Sequence, residues 1–251
     1  METKPPRPED TKCKCGATLE PVYVEPVFYS IGKSGPQKKF SGTGIWDIDE
    51  MCPSCVDQAQ KEREENRKKE EMERLFMTSG FMPKEFEMAS RPWEGNAKLK
   101  DAIYSWWKGE GKSLYLHGTP GNGKTHAASA ALREFIRNTR LPGKFWVVSD
   151  LVRRLRMAVK THEDDRLIGE IASAPALVLD DIAVERPTGF VLEAMQSIID
   201  IRYRNLDRLT IITSNLSIDQ LAERLDDRIA SRLISMCEII EFNGNDRRLL
   251  K

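Results

Sequence analysis

Eight consecutive residues, Gly118-Thr119-Pro120-Gly121-Asn122-Gly123-Lys124-Thr125, place three glycines, a lysine and a threonine in the spacing G-x-x-x-x-G-K-[ST]. Glycines let the backbone curl tightly enough for several N–H groups to converge on phosphate oxygens at the start of a helix. In such a loop Lys124 neutralises the β- and γ-phosphates and the Thr125 hydroxyl ligates Mg²⁺. A chance glycine-rich turn would not carry lysine and threonine in register. The expected ligand is ATP with Mg²⁺, held by Gly118 to Thr125 and the adjoining His126.

Nucleotide hydrolysis needs carboxylates opposite the loop. Ala176-Leu-Val-Leu-Asp180-Asp181 ends an apolar run in two acids, placing Asp180 to support the magnesium shell and Asp181 to polarise the attacking water. The same pair could serve as a helix N-cap and its neighbour. Asp181 is one methylene shorter than the glutamate common at this position, which shortens its reach. Thr210-Ile-Ile-Thr-Ser-Asn215 brings an amide that suits orienting water or sensing a γ-phosphate, or that merely ends a strand. Arg228 and Arg232 lie four residues apart, on one helical face. They fit a surface salt-bridge pair, or guanidinium groups offered to a phosphate on a neighbouring subunit.

A second chemistry lies near the N-terminus. Cys52-x-x-Cys55 is a half-site for tetrahedral Zn²⁺ and Cys13-x-Cys15 a tighter partner, with 36 residues between the pairs. So short a segment buries little core, so a structural zinc would supply its folding energy. Reduced cysteine pairs in a tail, or a redox pair, are the alternatives. Cys237 stands alone in an apolar run and reads as core. His117 and His126 flank the phosphate loop as packing or supporting residues.

The elements that must position these groups follow from apolar periodicity. Five short apolar runs suit buried parallel strands: 113–117, 144–148, 176–180, 209–213 and 237–242. Helical stretches at 124–138, 150–159, 190–204 and 217–225 separate them, with Asp150 and Ser217 as N-caps. This alternation predicts a parallel sheet with helices on both faces. Before it, residues 57–77 form a charged linker helix. Its stretch from Lys61 to Arg74 holds six basic and six acidic residues, with i,i+4 pairs such as Glu64/Lys68. Residues 1–56 form the cysteine module, with short strands near Val22 and Ile45 around a turn at 32–39, and residues 78–251 the α/β domain. The 251 residues carry 39 basic and 39 acidic side chains, so global charge does not argue for a nucleic-acid partner. The polar, proline-rich start and the lack of an apolar run near the roughly 20 residues that span a bilayer predict a soluble cytoplasmic protein with no membrane partner.

Taken together, these residues resemble the AAA+ ATPases, and within them the helicase-loader group of DnaC/DnaI type, relatives of the IstB transposition ATPases and the initiator DnaA. The resemblance spans about residues 80–250 and rests on Gly118–Thr125 with His126-Ala-Ala, Leu179-Asp-Asp-Ile182, Thr213-Ser-Asn215, Asp227–Leu233 and Gly244-Asn-Asp-Arg-Arg248 in the family's order. It implies an α/β AAA+ P-loop fold with a five-stranded parallel sheet plus a small zinc-binding module. It makes Asn215 sensor 1, Arg232 the arginine finger assisted by Arg228, and Arg248 (or Arg247) sensor 2. A finger acting in trans implies a ring or spiral self-oligomer with ATP. The chain's end near Lys251 predicts that the family's helical lid is absent.

By the same resemblance Arg153, Arg154, Arg156 and Lys160 form a basic face where relatives meet single-stranded DNA, though a solvated helix face reads the same way. Residues 13–56 look like the zinc domain that grips a replicative hexameric helicase, with Lys33, Lys38, Lys39, Phe40 and Trp46 as surface candidates. The implied function is ATP-driven helicase loading. The alternatives are an IstB-like transposition helper and an ATP-binding adaptor that does not hydrolyse.

Overall fold

Strand side chains alternate between faces, and here both faces are apolar. Five such runs form β1 (Ser113–His117), β2 (Gly143–Val147), β3 (Ala176–Asp180), β4 (Leu209–Ser214) and β5 (Cys237–Glu241). They assemble into one parallel sheet in the order β5-β1-β4-β3-β2. The computed structural model describes residues 9, 11–15, 17–20, 22–24, 27–32, 35–40, 45–47, 53–91, 97–108, 110–182 and 188–242; at Thr11, from 22 to 53 and at Ala97 it describes the backbone alone. Contacts divide the chain into two units, residues 1–69 and 70–251.

In the second unit, Leu114, Leu116, Ala176, Val178 and Ile211 enter one core, while Tyr115, Leu177, Leu179 and Ile212 enter the other. Neighbouring positions thus feed opposite cores, which is why each strand reads as a continuous apolar run. Helices α1 (Pro53–Met77), α2 (Pro83–Ala89), α3 (Ala97–Lys108) and α4 (Lys124–Thr139) come first, followed by α5 (Val148–Val159) and α6 (Asp164–Ser173). Then come α7 (Gly189–Arg204), α8 (Ile218–Arg224) and α9 (Asp227–Met236). The face shared with α3 and α4 takes Ile103, Trp106, Leu132 and Ile136; the other face takes Leu151, Leu155, Ile171, Ile198 and Leu233.

The strand expectations hold to within a residue or two. Ser217 caps α8 with a reciprocal capping box to Gln220. Asp150 is not an N-cap: α5 starts two residues earlier, because β2 runs straight into it at Val147. Asp150 instead sits in the first turn, where a carboxylate meets the positive end of the helix dipole, and pairs with Arg153. The expected turn at 32–39 is mostly strand, since residues 27–32 pair with 35–40 and Gly32 faces Gly35 across the reversal. Residues 22–24 and 45–47 pair antiparallel. The charged helix begins at Pro53, because proline's fixed φ suits a first helical turn, and Glu64 pairs with Lys68 at 2.9 Å. The sequence reading did not include α2, α3 or α6.

At the end of the sheet away from the phosphate loop, Arg202 is fully buried. Its guanidinium donates to Thr210 Oγ1 at 2.9 Å, to the Ala172 carbonyl at 3.2 Å, and to the carbonyls of Ala174 and Leu209. Burial pushes its pKa down to about 9. No carboxylate stands among these partners, so backbone dipoles carry the solvation of this cation. Truncating it leaves both a cavity and orphaned carbonyls, and Arg202→Ala is expected to lower unfolding free energy by about 3 kcal/mol. A urea titration measures this; a loss below about 1 kcal/mol would contradict the bonding role.

Candidate nucleotide site and metal centre

The phosphate loop leaves β1 and enters α4 with Gly118, Gly121 and Gly123 all at positive φ, 140°, 82° and 100°. Gly118 has a second reason to lack a side chain: a Cβ there would stand 2.4 Å from the Phe242 carbonyl oxygen. Gly123 is the N-cap of α4 and offers no side-chain cap, so the first-turn N–H groups of α4 remain available to an anion. Lys124, 7% exposed, donates to the carbonyls of Gly118 at 2.7 Å and Thr119 at 2.8 Å and to Asn122 Oδ1 at 3.1 Å. The loop thus holds its cation in place with its own oxygens.

Opposite the loop, the carboxylate of Asp180 closes the end of β3. It accepts from Thr213 Oγ1 at 2.7 Å and from Thr125 Oγ1 at 3.1 Å. Three elements therefore meet on one carboxylate: β3, β4 and the start of α4. Burial pushes the Asp180 carboxyl above its usual range; the two threonine hydrogen bonds oppose this, and the charges of Asp181 and Glu85 add to it.

Asp181 lies just beyond, in the left-handed region at φ 56°, a strained choice for a non-glycine residue and a frequent one at functional sites. Its N–H donates to Thr213 Oγ1 at 2.9 Å, and its Oδ1 accepts from Asn215 Nδ2 at 3.3 Å. Asp181 and Asn215, named separately from the sequence, are thus hydrogen-bonded partners. Behind them the Tyr115 hydroxyl donates to the Leu216 carbonyl at 2.9 Å, and burial pushes this phenol up to about 12.

Gly121, Gly123 to Thr125, Asp180, Asp181, Thr213 and Asn215 line a cleft of about 750 Å³ that also takes Pro120, Asn122 and His126. His126 Nε2 lies 3.2 Å from the Arg91 carbonyl. Sequence reasoning missed the opposite wall, Lys84, Glu85, Met88 and Arg91. Only Pro83 at the first position of α2 marked that helix, and nothing in its composition pointed to phosphate chemistry. Thr213 was quoted as part of a motif, and its role as the hydroxyl between both aspartates emerges only in three dimensions.

The arginines of α9 are not part of this cleft. Arg232 pairs with Asp200 of α7, and Arg228, one turn earlier, is exposed. Arg247 and Arg248 lie outside the described residues, as does Cys52. On α5, Arg154 and Arg156 are exposed, as is Lys160 just after it, while Arg153 engages Asp150.

In the first unit, residues 11–12 and 18–19 pair antiparallel, and Cys13 N–H donates to the Ala17 carbonyl at 2.8 Å. This turn brings Cys13 and Cys15 to Cys55, in the first turn of α1, with the three sulfurs within 4.8 Å of one another. Zn–S bonds of about 2.3 Å in a tetrahedron need sulfurs about 3.8 Å apart, so this cluster fits zinc.

Because folding raises the Asp180 pKa, the native state binds that proton more tightly than the unfolded chain. Ionisation therefore weakens the fold as pH rises from the ordinary carboxylate range through the raised value. At neutral pH, Asp180→Asn is expected to raise the melting temperature of metal-free protein while weakening magnesium-dependent nucleotide binding. A lower melting temperature in chelator would contradict this.

Residues 46–251 match the sequence profile of the IstB-like ATP binding proteins. The replicative helicase loader DnaI of Bacillus subtilis (strain 168) is 26% identical over 56% of this chain, which spans 49% of that protein. The replicative helicase loader DnaC of Escherichia coli (strain K12) is 25% identical over 86% of this chain and 85% of its own length. A crystal structure of the DnaC helicase loader superposes with a TM-score of 0.57, 28% identity and cover of 64% of this chain and 100% of that one. With a phosphate loop at the end of β1, paired aspartates at the end of β3 and a profile match over most of its length, the chain belongs to the IstB-like ATP binding protein family and has the AAA+ fold.

Proposed function

We propose that the protein is an ATP-hydrolysing loader of a replicative hexameric helicase. In this reading residues 1–56 are a zinc module that grips the helicase, 57–77 a connector, and 78–251 the ATPase. The observation that carries the catalytic part is the Thr125–Asp180–Thr213–Asp181–Asn215 chain of hydrogen bonds. The likeness to two replicative helicase loaders supports the biological part.

Each site residue then has a task. Gly118 to Thr125 and His126 form the phosphate cradle, and Lys124 neutralises the β- and γ-phosphates. Thr125 and Asp180 hold Mg²⁺, which when bound draws charge from the phosphates. Asp181 takes up the proton of the attacking water at its carboxylate, oriented by Asn215, which also senses the γ-phosphate. Arg232, released from Asp200 on assembly and helped by Arg228, reaches the nucleotide of a neighbouring copy in a ring or spiral, and Arg248 is sensor 2. The α5 arginines and Lys160 follow single-stranded DNA by charge attraction. Among the described residues no helix is long and apolar enough to cross a membrane.

The family match also favours a second reading, a transposition helper that assembles on duplex DNA. Co-purification with a hexameric helicase supports the first; filaments on duplex DNA without helicase capture support the second. Lys124→Ala should abolish nucleotide binding. Asp181→Ala should keep binding within about threefold and slow phosphate release by about a hundredfold or more. Phosphate release undiminished by Asp181→Ala would remove its role, and none from the wild type would leave a non-hydrolysing adaptor.

Purified full-length protein should carry one zinc per chain by atomic absorption. Cys55→Ser should lose the metal and helicase capture but keep ATP binding. Helicase capture by metal-free protein would overturn the module's assignment.

A further inference from the structure

Asn122 belongs to the phosphate loop, and both ends of its carboxamide are engaged within the protein. It is 5% exposed. Its Nδ2 donates to the Phe242 carbonyl at 2.6 Å, and its Oδ1 accepts from Lys124 Nζ at 3.1 Å. A carbonyl only accepts and an ammonium only donates, so the two partners fix which end of the carboxamide is which. Phe242 is in turn joined to β1, its N–H donating to the His117 carbonyl at 2.6 Å. The Phe242 carbonyl also occupies the space a side chain at position 118 would need. One carboxamide therefore links the phosphate-binding lysine to the residue that follows β5.

We propose that Asn122 is a positioning residue that couples the nucleotide site to the end of β5, so that nucleotide binding tightens the point where the chain leaves the sheet. The coupling rests on the nucleotide reading above. Gly118, Thr119 and Asn122 each accept from Lys124 Nζ. With a phosphate oxygen at Lys124, Asn122 ties the loop that carries it to Phe242 through Nδ2. Opening the end of β5 breaks that hold and deforms the loop from Gly118 onward, so the opened state binds nucleotide poorly. By linkage, a ligand that binds only the closed state suppresses the opening in proportion to its concentration over Kd.

The test is amide hydrogen exchange on the full-length protein across Cys237–Phe242, with a non-hydrolysable ATP analogue and Mg²⁺ at about a hundred times the measured Kd. The ceiling there is about hundredfold suppression of opening. Amides of β3 serve as the reference for whole-domain opening. In the wild type, exchange at Ile240–Phe242 should slow about tenfold or more with nucleotide.

Asn122→Asp keeps an acceptor for Lys124 but removes the donor to Phe242. In it, exchange at this segment should rise and respond less than about twofold to nucleotide at a hundred times its own Kd. Asn122→Ala, checked by thermal melting, should behave alike. A variant segment that slows as much as the wild type's, or a wild-type segment indifferent to bound nucleotide, overturns the coupling and leaves the nucleotide reading intact. A wild type that binds no nucleotide overturns both.

Discussion

A carboxylate buried at the end of a fully buried strand is the constraint around which the rest of the site is arranged. Left alone, Asp180 would cost several kcal/mol or take up a proton. The hydroxyls of Thr213 and Thr125 meet its two oxygens, so the charge is tolerated only while β3, β4 and the start of α4 stay in register. The buried strands and close helices on both faces are what hold that register.

The same economy of hydroxyls extends outward. Thr213 donates to one aspartate and accepts from the backbone of the next, and this second bond helps hold Asp181 in its left-handed conformation. Asn215 then meets the Asp181 carboxylate. The shorter acid thus projects from a backbone twisted away from the strand's ordinary path, and its reach depends on that twist.

The two ends of the sheet manage charge in opposite ways. At the carboxyl end the loop and the start of α4 offer N–H groups, and the acids sit across from a lysine held by loop carbonyls. At the other end Arg202 meets the carbonyls where β3 and β4 begin. A buried guanidinium bound to backbone anchors the strand starts, so their far ends can bear function without also closing the core.

Much of this architecture was legible in one dimension because its signals are local. A glycine, lysine and threonine at fixed offsets, and apolar runs of strand length, need no partner to be recognised, so the loop, the paired acids and all five strands could be read to within a residue or two. What depended on contacts between distant segments could not. Glu85 and Met88 reach the cleft from a short helix whose composition says nothing of phosphate. The bond from Asn122 to Phe242 and the buried partners of Arg202 have no local signal. Cys13 with Cys15 and Cys52 with Cys55 were paired by spacing, but only a turn at Ala17 and the early start of α1 set the sulfurs of Cys13, Cys15 and Cys55 together. Local stereochemistry chooses elements and loops, whereas the partner of a buried polar group is set by packing between segments far apart in the chain, and that is a tertiary decision.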